Sequence, residues 1–164
     1  MSDAAPLHER AIIYYNNIAE SASFVFSSLV KSDLKQKKLF QRRLASLPND
    51  IIIKFDFEAD ISGYFAFFFS IKNAFAICER LMPSIDNTFF DEMHLDILGE
   101  LGNMISGNTL SRLVSVSSEI RLEPPRLSAF HEILAAEKGY YSYSSNFDIE
   151  LGKMGVLLAI KEKE

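Results

Sequence analysis

The stretch IIIKFDFEADISGYFAFFFS, residues 51–70, restricts the fold more than any other part of the chain. In its first half Ile53, Phe55 and Phe57 alternate with Lys54, Asp56 and Glu58. A period of two puts each set on its own side of a pleated strand, so the segment reads as half buried. The second half, YFAFFFS, is apolar at successive positions. Such a strand has no solvent face and belongs in the middle of a sheet covered on both sides. With ADISG as the turn, the two halves form a hairpin. The cover has to come from elsewhere in the chain.

Helical patterns flank the hairpin. From Leu7 onward Ala11, Tyr15, Ile18, Ala22, Phe26 and Leu29 recur at helical spacing, which predicts a long amphipathic helix to about Val30. Ser2 or Asp3 would cap it, with Pro6 in the first turn. The basic segment KSDLKQKKLFQRRLASLPND reads as a shorter helix before a turn at Pro48-Asn49-Asp50. Ser70 is placed to cap a helix through IKNAFAICERLM, which Pro83 stops. Asp86 or Asn87 would open another that runs to about Leu113. Beyond it VSVSSEIRLE, YYSYSSNFDIEL and MGVLLAIK alternate as strands, with a turn at Gly152-Lys153. Residues 126–137 carry the weakest pattern. No repeat or Gly/Ser/Pro linker divides the chain, so one domain is expected over 1–164, with an N-terminal helical region at 1–50 and the sheet from 51. The expected fold class is α+β: about six mostly antiparallel strands with long helices packed on the sheet.

Charge narrows the partners. A net charge of −5 and a pI of about 5.3 disfavour a general role on nucleic acid or on an anionic membrane. The first residues, MSDAAPLHER, lack the basic-then-apolar pattern of a signal peptide, and YFAFFF is far too short for a membrane span. With Cys78 as the lone cysteine, these features lead us to expect a cytoplasmic protein without membrane insertion.

Several reactive residue types have ordinary readings. His8, His94 and His131 lack metal-ligand spacing, so no metal site is expected. His94 lies one turn from Asp91 and reads as a solvated helix pair, and Cys78 on an apolar helix reads as a small buried hydrophobe. The basic run from Lys31 to Arg43 reads as a solvated face or loop before a docking patch. Tyr140, Tyr141 and Tyr143 suit a strand.

The segment LDILGELGNMISGN, residues 95–108, is less ordinary. Its glycines each cost a helix about 1 kcal/mol relative to alanine. At about 100° per residue, Ile97, Leu98, Leu101, Met104 and Ile105 gather on a core-facing side. Asp96, Glu100, Asn103 and Gly107 fall at i, i+4, i+7 and i+11, within an arc of roughly 60° on the other. Gly99, Gly102 and Ser106 line the flank between. Two uses fit: close approach of another surface to the polar stripe, or glycines that pack on a neighbouring element. The spacing is not that of a phosphate loop, since no GxGxxG or Gly-Lys-Ser/Thr is present.

Asp96, three residues, Glu100, two residues, Asn103, twenty-one residues, Pro125 resembles the signature of the CheC/CheX/FliY chemotaxis phosphatases. ELGNMISGN is similar to the CheX branch, as is the hairpin and the helix KNAFAICERLM before it. The resemblance covers roughly residues 50–161 and implies a CheC/CheX-like fold. It also implies an activity in two-component signalling: hydrolysis of the aspartyl phosphate of a CheY-like response-regulator receiver domain. Glu100 would then anchor the receiver through a lysine and Asn103 would orient the attacking water, with Asp96 and Pro125 in support. Mg²⁺ would come with the receiver, so no cofactor of the chain's own is implied. One site is expected, because ERAIIYYNNIAE has no Glu three residues before Asn16 or Asn17. A homodimer is also implied. The alternative is a non-catalytic receiver-binding or structural dimer module related to flagellar switch proteins.

Overall fold

Strand β4, Ile61–Phe69, is the doubly apolar segment, and it sits inside a sheet with β3, Ile51–Glu58, on one side. Its other neighbour is β8, Gly152–Glu162, which pairs in turn with β7, Tyr141–Ile149. The computed structural model describes residues 5–37, 39–41, 47–113, 119–136 and 138–163. Among these the sheet has the order β1-β7-β8-β4-β3-β5 with every pairing antiparallel. Four short strands make its two edges. β1, Lys35–Gln36, and β2, Phe40–Gln41, share the outer side of β7, while β5, Arg121–Leu122, and β6, Arg126–Ser128, share that of β3. The eight described strands therefore occupy six lanes, and the α+β expectation holds.

Register explains the core. Phe55 pairs with Phe65, Phe65 with Leu158, and Leu158 with Tyr143, so one row of buried side chains crosses four strands on one face. Phe55 and Phe65 stack at 5.0 Å, with Phe67 edge-on to both. Helices α1, Leu7–Val25, α2, Ile71–Leu81, and α3, Glu92–Leu113, contribute buried residues to the core on this face. The opposite face carries Ile52, Tyr64, Ala66, Phe68 and Leu157 in a smaller cluster with Ile133 of α4, Phe130–Ala136. Both faces of β4 are thus covered, as its composition requires.

Several elements differ from the sequence reading. The first helix ends at Val25 and the turn Phe26–Val30 widens to π-helical pitch before Lys31 reverses the chain at φ 57°. Arg80 of α2 donates to the freed Val30 carbonyl at 3.2 Å. The basic run does not continue as a helix where described: its backbone completes the edge of β7, and Lys37 pairs with Asp148 at 2.8 Å. Like charges repel along a short helix, whereas pairing with β7 satisfies the backbone of the run and covers an open strand edge. Ser2 and Asp3, expected to cap the first helix, residues 38 and 42–46 of the basic run, and residues 114–118 of the strand expected after α3 lie outside the described residues. Within the weakly patterned segment 126–137, Arg126–Ser128 form β6 and Phe130–Ala136 form α4, and residue 137 lies outside the described residues. The reversal before β8 lies at Glu150-Leu151, and Gly152 starts the strand at φ 131°, where a side chain would also strike the Asn73 amide. Ser70 caps α2 as expected, accepting from Asn73 N at 3.2 Å.

Helix α3 opens at Glu92, later than Asp86 or Asn87. Asp86 instead closes a turn onto Thr88, and Asp91 is the cap, its Oδ1 accepting from Met93 N at 3.0 Å and His94 N at 3.2 Å. These bonds, the side-chain contact with His94 foremost, hold the Asp91 carboxyl below its usual value. Asp91→Ala is expected to lower stability at neutral pH, read as an earlier midpoint in urea unfolding, because the helix loses its cap. The difference from wild type should shrink as pH falls through that lowered value, because the cap is lost on protonation. No described helix is long and apolar enough to cross a membrane.

Candidate functional site

Helix α3 turns Leu98, Leu101, Ile105 and Leu113 into the core and leaves Asp96, Glu100, Asn103 and Gly107 exposed. Each buried Leu or Ile stabilises the docked helix by about 1.5–3 kcal/mol. Hydroxyls on the inner side are satisfied within the helix: Ser106 donates to Gly102 O at 2.7 Å and Thr109 to Ile105 O at 2.8 Å. The apolar arc is narrower than the sequence suggested. Met104 is 43% exposed and Ile97 only partly buried, because both lie toward the stripe and away from Leu98 and Leu101.

The glycines have separate surroundings. A Cβ on Gly102 would lie 2.2 Å from Cζ of Phe55, so the glycine admits the chain's own sheet. Gly99 faces Pro125, whose Cγ would be 3.7 Å from its Cβ, and a Cβ on Gly107 would meet nothing within 4 Å. Packing on a neighbouring element accounts for Gly102, while Gly107 borders solvent.

Pro125 brings the second wall. The Pro124-Pro125 pair separates β5 from β6, since proline cannot donate to a ladder. Glu123 N still donates to Asp56 O at 2.9 Å, and β6 resumes at Arg126, opposite Lys54. Between this edge and α3 runs an open cleft of about 380 Å³, lined by Asp96, Gly99, Glu100 and Asn103 on one side and Pro125, Arg126 and Leu127 on the other. All four residues of the spaced motif therefore meet in one place. Gly107 lies farther along the exposed face, and Gly102 lies beneath it.

Glu100 and Asn103 make no hydrogen bond or ion pair with another described residue. One helical turn apart, they offer an anion and a neutral donor-acceptor to whatever enters the cleft. Sequence reasoning missed the wall itself. Leu127 is 51% exposed beside the stripe, and Arg126 is held at 2.8 Å by Asp56, which also binds Lys54 at 2.9 Å. A three-residue strand following two prolines is too short for alternation to reveal it. A larger hollow of about 670 Å³ is lined by Ser27, Lys31, Asp33, Lys35 and Asp148–Glu150, and shares no residue with the motif.

His94 corrects the sequence reading. It is fully buried, its ring 5.0 Å from that of Phe75 and 5.3 Å from that of Phe90. Its Nδ1 lies 2.8 Å from Asp91 Oδ1 and its Nε2 2.8 Å from Asn87 Oδ1. The residue fastens the segment ahead of α3 to the helix. Its position four before Leu98 and seven before Leu101 was the available signal. Cys78 is buried as expected, and burial, with the nearby Asp91 carboxylate, pushes its thiol up to about 12. It is no thiolate nucleophile at neutral pH. Among the described residues no three His, Cys, Asp or Glu side chains gather as a metal set.

The architecture is shared with proteins of known structure. A CheC-like superfamily protein from Shewanella sp. PV-4 superposes with a TM-score of 0.76 at 15% identity, over 90% of this chain and 97% of that one. CheX of Borrelia burgdorferi, solved as a CheX-CheY-BeF3-Mg complex, gives 0.72 at 18% identity, over 91% and 98%. These likenesses show a CheC/CheX-like fold. In sequence, the family described as "Chemotaxis phosphatase CheX" matches residues 51–148. A "CheY-P phosphatase CheX" from Thermotoga maritima is 24% identical over 113 residues, 64% of this chain and 72% of that one. The chain belongs to the CheX family of chemotaxis phosphatases.

Proposed function

We propose that this chain hydrolyses the aspartyl phosphate of a CheY-like receiver domain, with Asn103 orienting the attacking water and Glu100 anchoring the receiver. The observation that carries the reading is the meeting of Asp96, Glu100, Asn103 and Pro125 at one exposed cleft in a chain of this family. Support also comes from the Thermotoga relative, named a CheY-P phosphatase, and from the Borrelia relative, solved with CheY.

The chemistry suits these groups. Water attacks phosphorus, the bond to the aspartyl oxygen breaks, and inorganic phosphate leaves while the receiver's carboxylate is restored. Such transfers depend on positioning and charge stabilisation. The Asn103 carboxamide would accept from the water without adding negative charge beside the phosphoryl group. Glu100, one turn away, would pair with a receiver lysine and set the depth of insertion. Asp96 and Pro125 would support the cleft walls. Mg²⁺ would arrive on the receiver, and this chain would contribute no cofactor. A cytoplasmic homodimer belongs to the same proposal, and light scattering in solution tests the dimer.

Phosphate release from the phosphorylated receivers of the source organism tests the activity. Acceleration of at least one receiver over its own decay is expected; none across the set would sink the reading. Glu100→Lys should weaken receiver binding at least tenfold, measured by titration, because it replaces attraction with repulsion. An unchanged affinity would remove Glu100 from the anchoring role.

A further inference from the structure

We infer that Met93, Met104 and Leu127 form an apolar rim around Glu100 and Asn103, and that this rim is the specificity-determining contact with the receiver domain. The inference rests on the receiver being the partner, and it adds the residues that grip it. All three side chains are roughly half exposed: 51% for Met93, 43% for Met104 and 51% for Leu127.

Their placement is two-sided. At about 100° per residue, Met93 and Met104 project within some 40° of Glu100, while Asn103 lies on the cleft side of the stripe. Across that cleft, Leu127 pairs with Ile53 of β3 and stands on the helix-covered face of the sheet. The polar pair therefore has two methionines along one flank and a leucine along the other. From Met93 to Met104 the helix rises about 17 Å, enough to lie across a small globular partner. An apolar ring around a polar centre excludes water when a partner closes on it and strengthens the charged contact inside. Methionine adapts to the surface it meets, which suits a partner that must bind and leave.

The charges select the occupant. The exposed arc of α3 carries Glu92, Asp96 and Glu100, and Arg112, near its end, is engaged by Glu20 at 2.7 Å. A second copy seated on this patch by a two-fold axis would oppose the same carboxylates to one another. A receiver presenting a lysine among apolar side chains is complementary. The surface is thus an interface with a different protein.

The test titrates wild type and the combined variant Met93→Ser/Met104→Ser/Leu127→Ser with a receiver domain carrying beryllium trifluoride and Mg²⁺. A rise in Kd of at least tenfold is expected, with thermal unfolding close to wild type because all three side chains are exposed. Met93→Leu/Met104→Leu should keep near wild-type affinity, and Met104→Ser alone should raise Kd severalfold; an unchanged Kd in that single variant overturns the rim if the combined variant folds poorly. An unchanged Kd in the serine variant overturns the rim, as does a change of oligomeric state with Kd intact. Wild type that binds without accelerating dephosphorylation overturns the phosphatase reading and leaves the rim in place. Wild type that binds no receiver overturns both.

Discussion

Asn103→Ala is expected to abolish accelerated dephosphorylation of the receiver while leaving the fold intact. Asn103 is exposed on α3 and bonds to no other described residue, so its removal leaves no buried group unpaired. Alanine is also the better helix former, by up to about 0.7 kcal/mol, so the melting temperature should stay level or rise slightly. Turnover should behave differently. Losing one preorganised hydrogen-bonding group at a reacting centre typically costs about 100- to 1,000-fold in rate, or roughly 2.7–4 kcal/mol of barrier. Receiver affinity should change far less than turnover, because Glu100 and the surrounding surface remain. Single-turnover phosphate release beside a binding titration separates the two. Full activity in the variant would remove Asn103 from the chemistry.

The second large effect concerns stability. Gly102→Val places a branched side chain where even a Cβ would lie 2.2 Å from Phe55. Phe55 is fully buried between Phe65 and Phe67, and the tight stack leaves its ring nowhere to turn. Overpacking of this kind costs about 1–3 kcal/mol, and more when the backbone has to move. The helix-propensity gain over glycine recovers less than about 1 kcal/mol. A net loss of about 1–2 kcal/mol, larger if the backbone moves, is expected in urea unfolding, along with reduced activity as α3 is pushed off the sheet. Gly107→Ala is the matched control. With nothing near its Cβ it should stabilise by about 0.5–1 kcal/mol. If Gly107 also admits the receiver closely, the same variant will bind it more weakly.

Strong periodicity made much of this molecule legible. The alternation at Ile53–Glu58 and the unbroken apolar run in β4 specified a half-buried strand beside a central one, and the register bears that out. The motif was legible because helical spacing gathers Asp96, Glu100 and Asn103 before any tertiary contact is known. What escaped was set by tertiary competition. The basic run completes a strand edge because β7 had backbone groups to satisfy, which no local pattern encodes. His94 looked solvated because its neighbour Asp91 is charged, yet the rings of Phe75 and Phe90 enclose it. Gly102 looked like an opening toward a partner, and only the position of Phe55 shows that the space was already taken.

The pairing of β4 with β8 has a consequence for how the protein is made. Ile61 of β4 pairs with Glu162 of β8, about a hundred residues further along the chain. While the polypeptide emerges from the ribosome, the most hydrophobic strand has β3 beside it but waits through the synthesis of the whole motif helix before its second partner exists. Contacts so distant in sequence are slow to form, and exposed apolar strands invite association in the meantime. The cleft between α3 and β6 is therefore a late product of synthesis: its residues are all in place before the sheet that holds them can close.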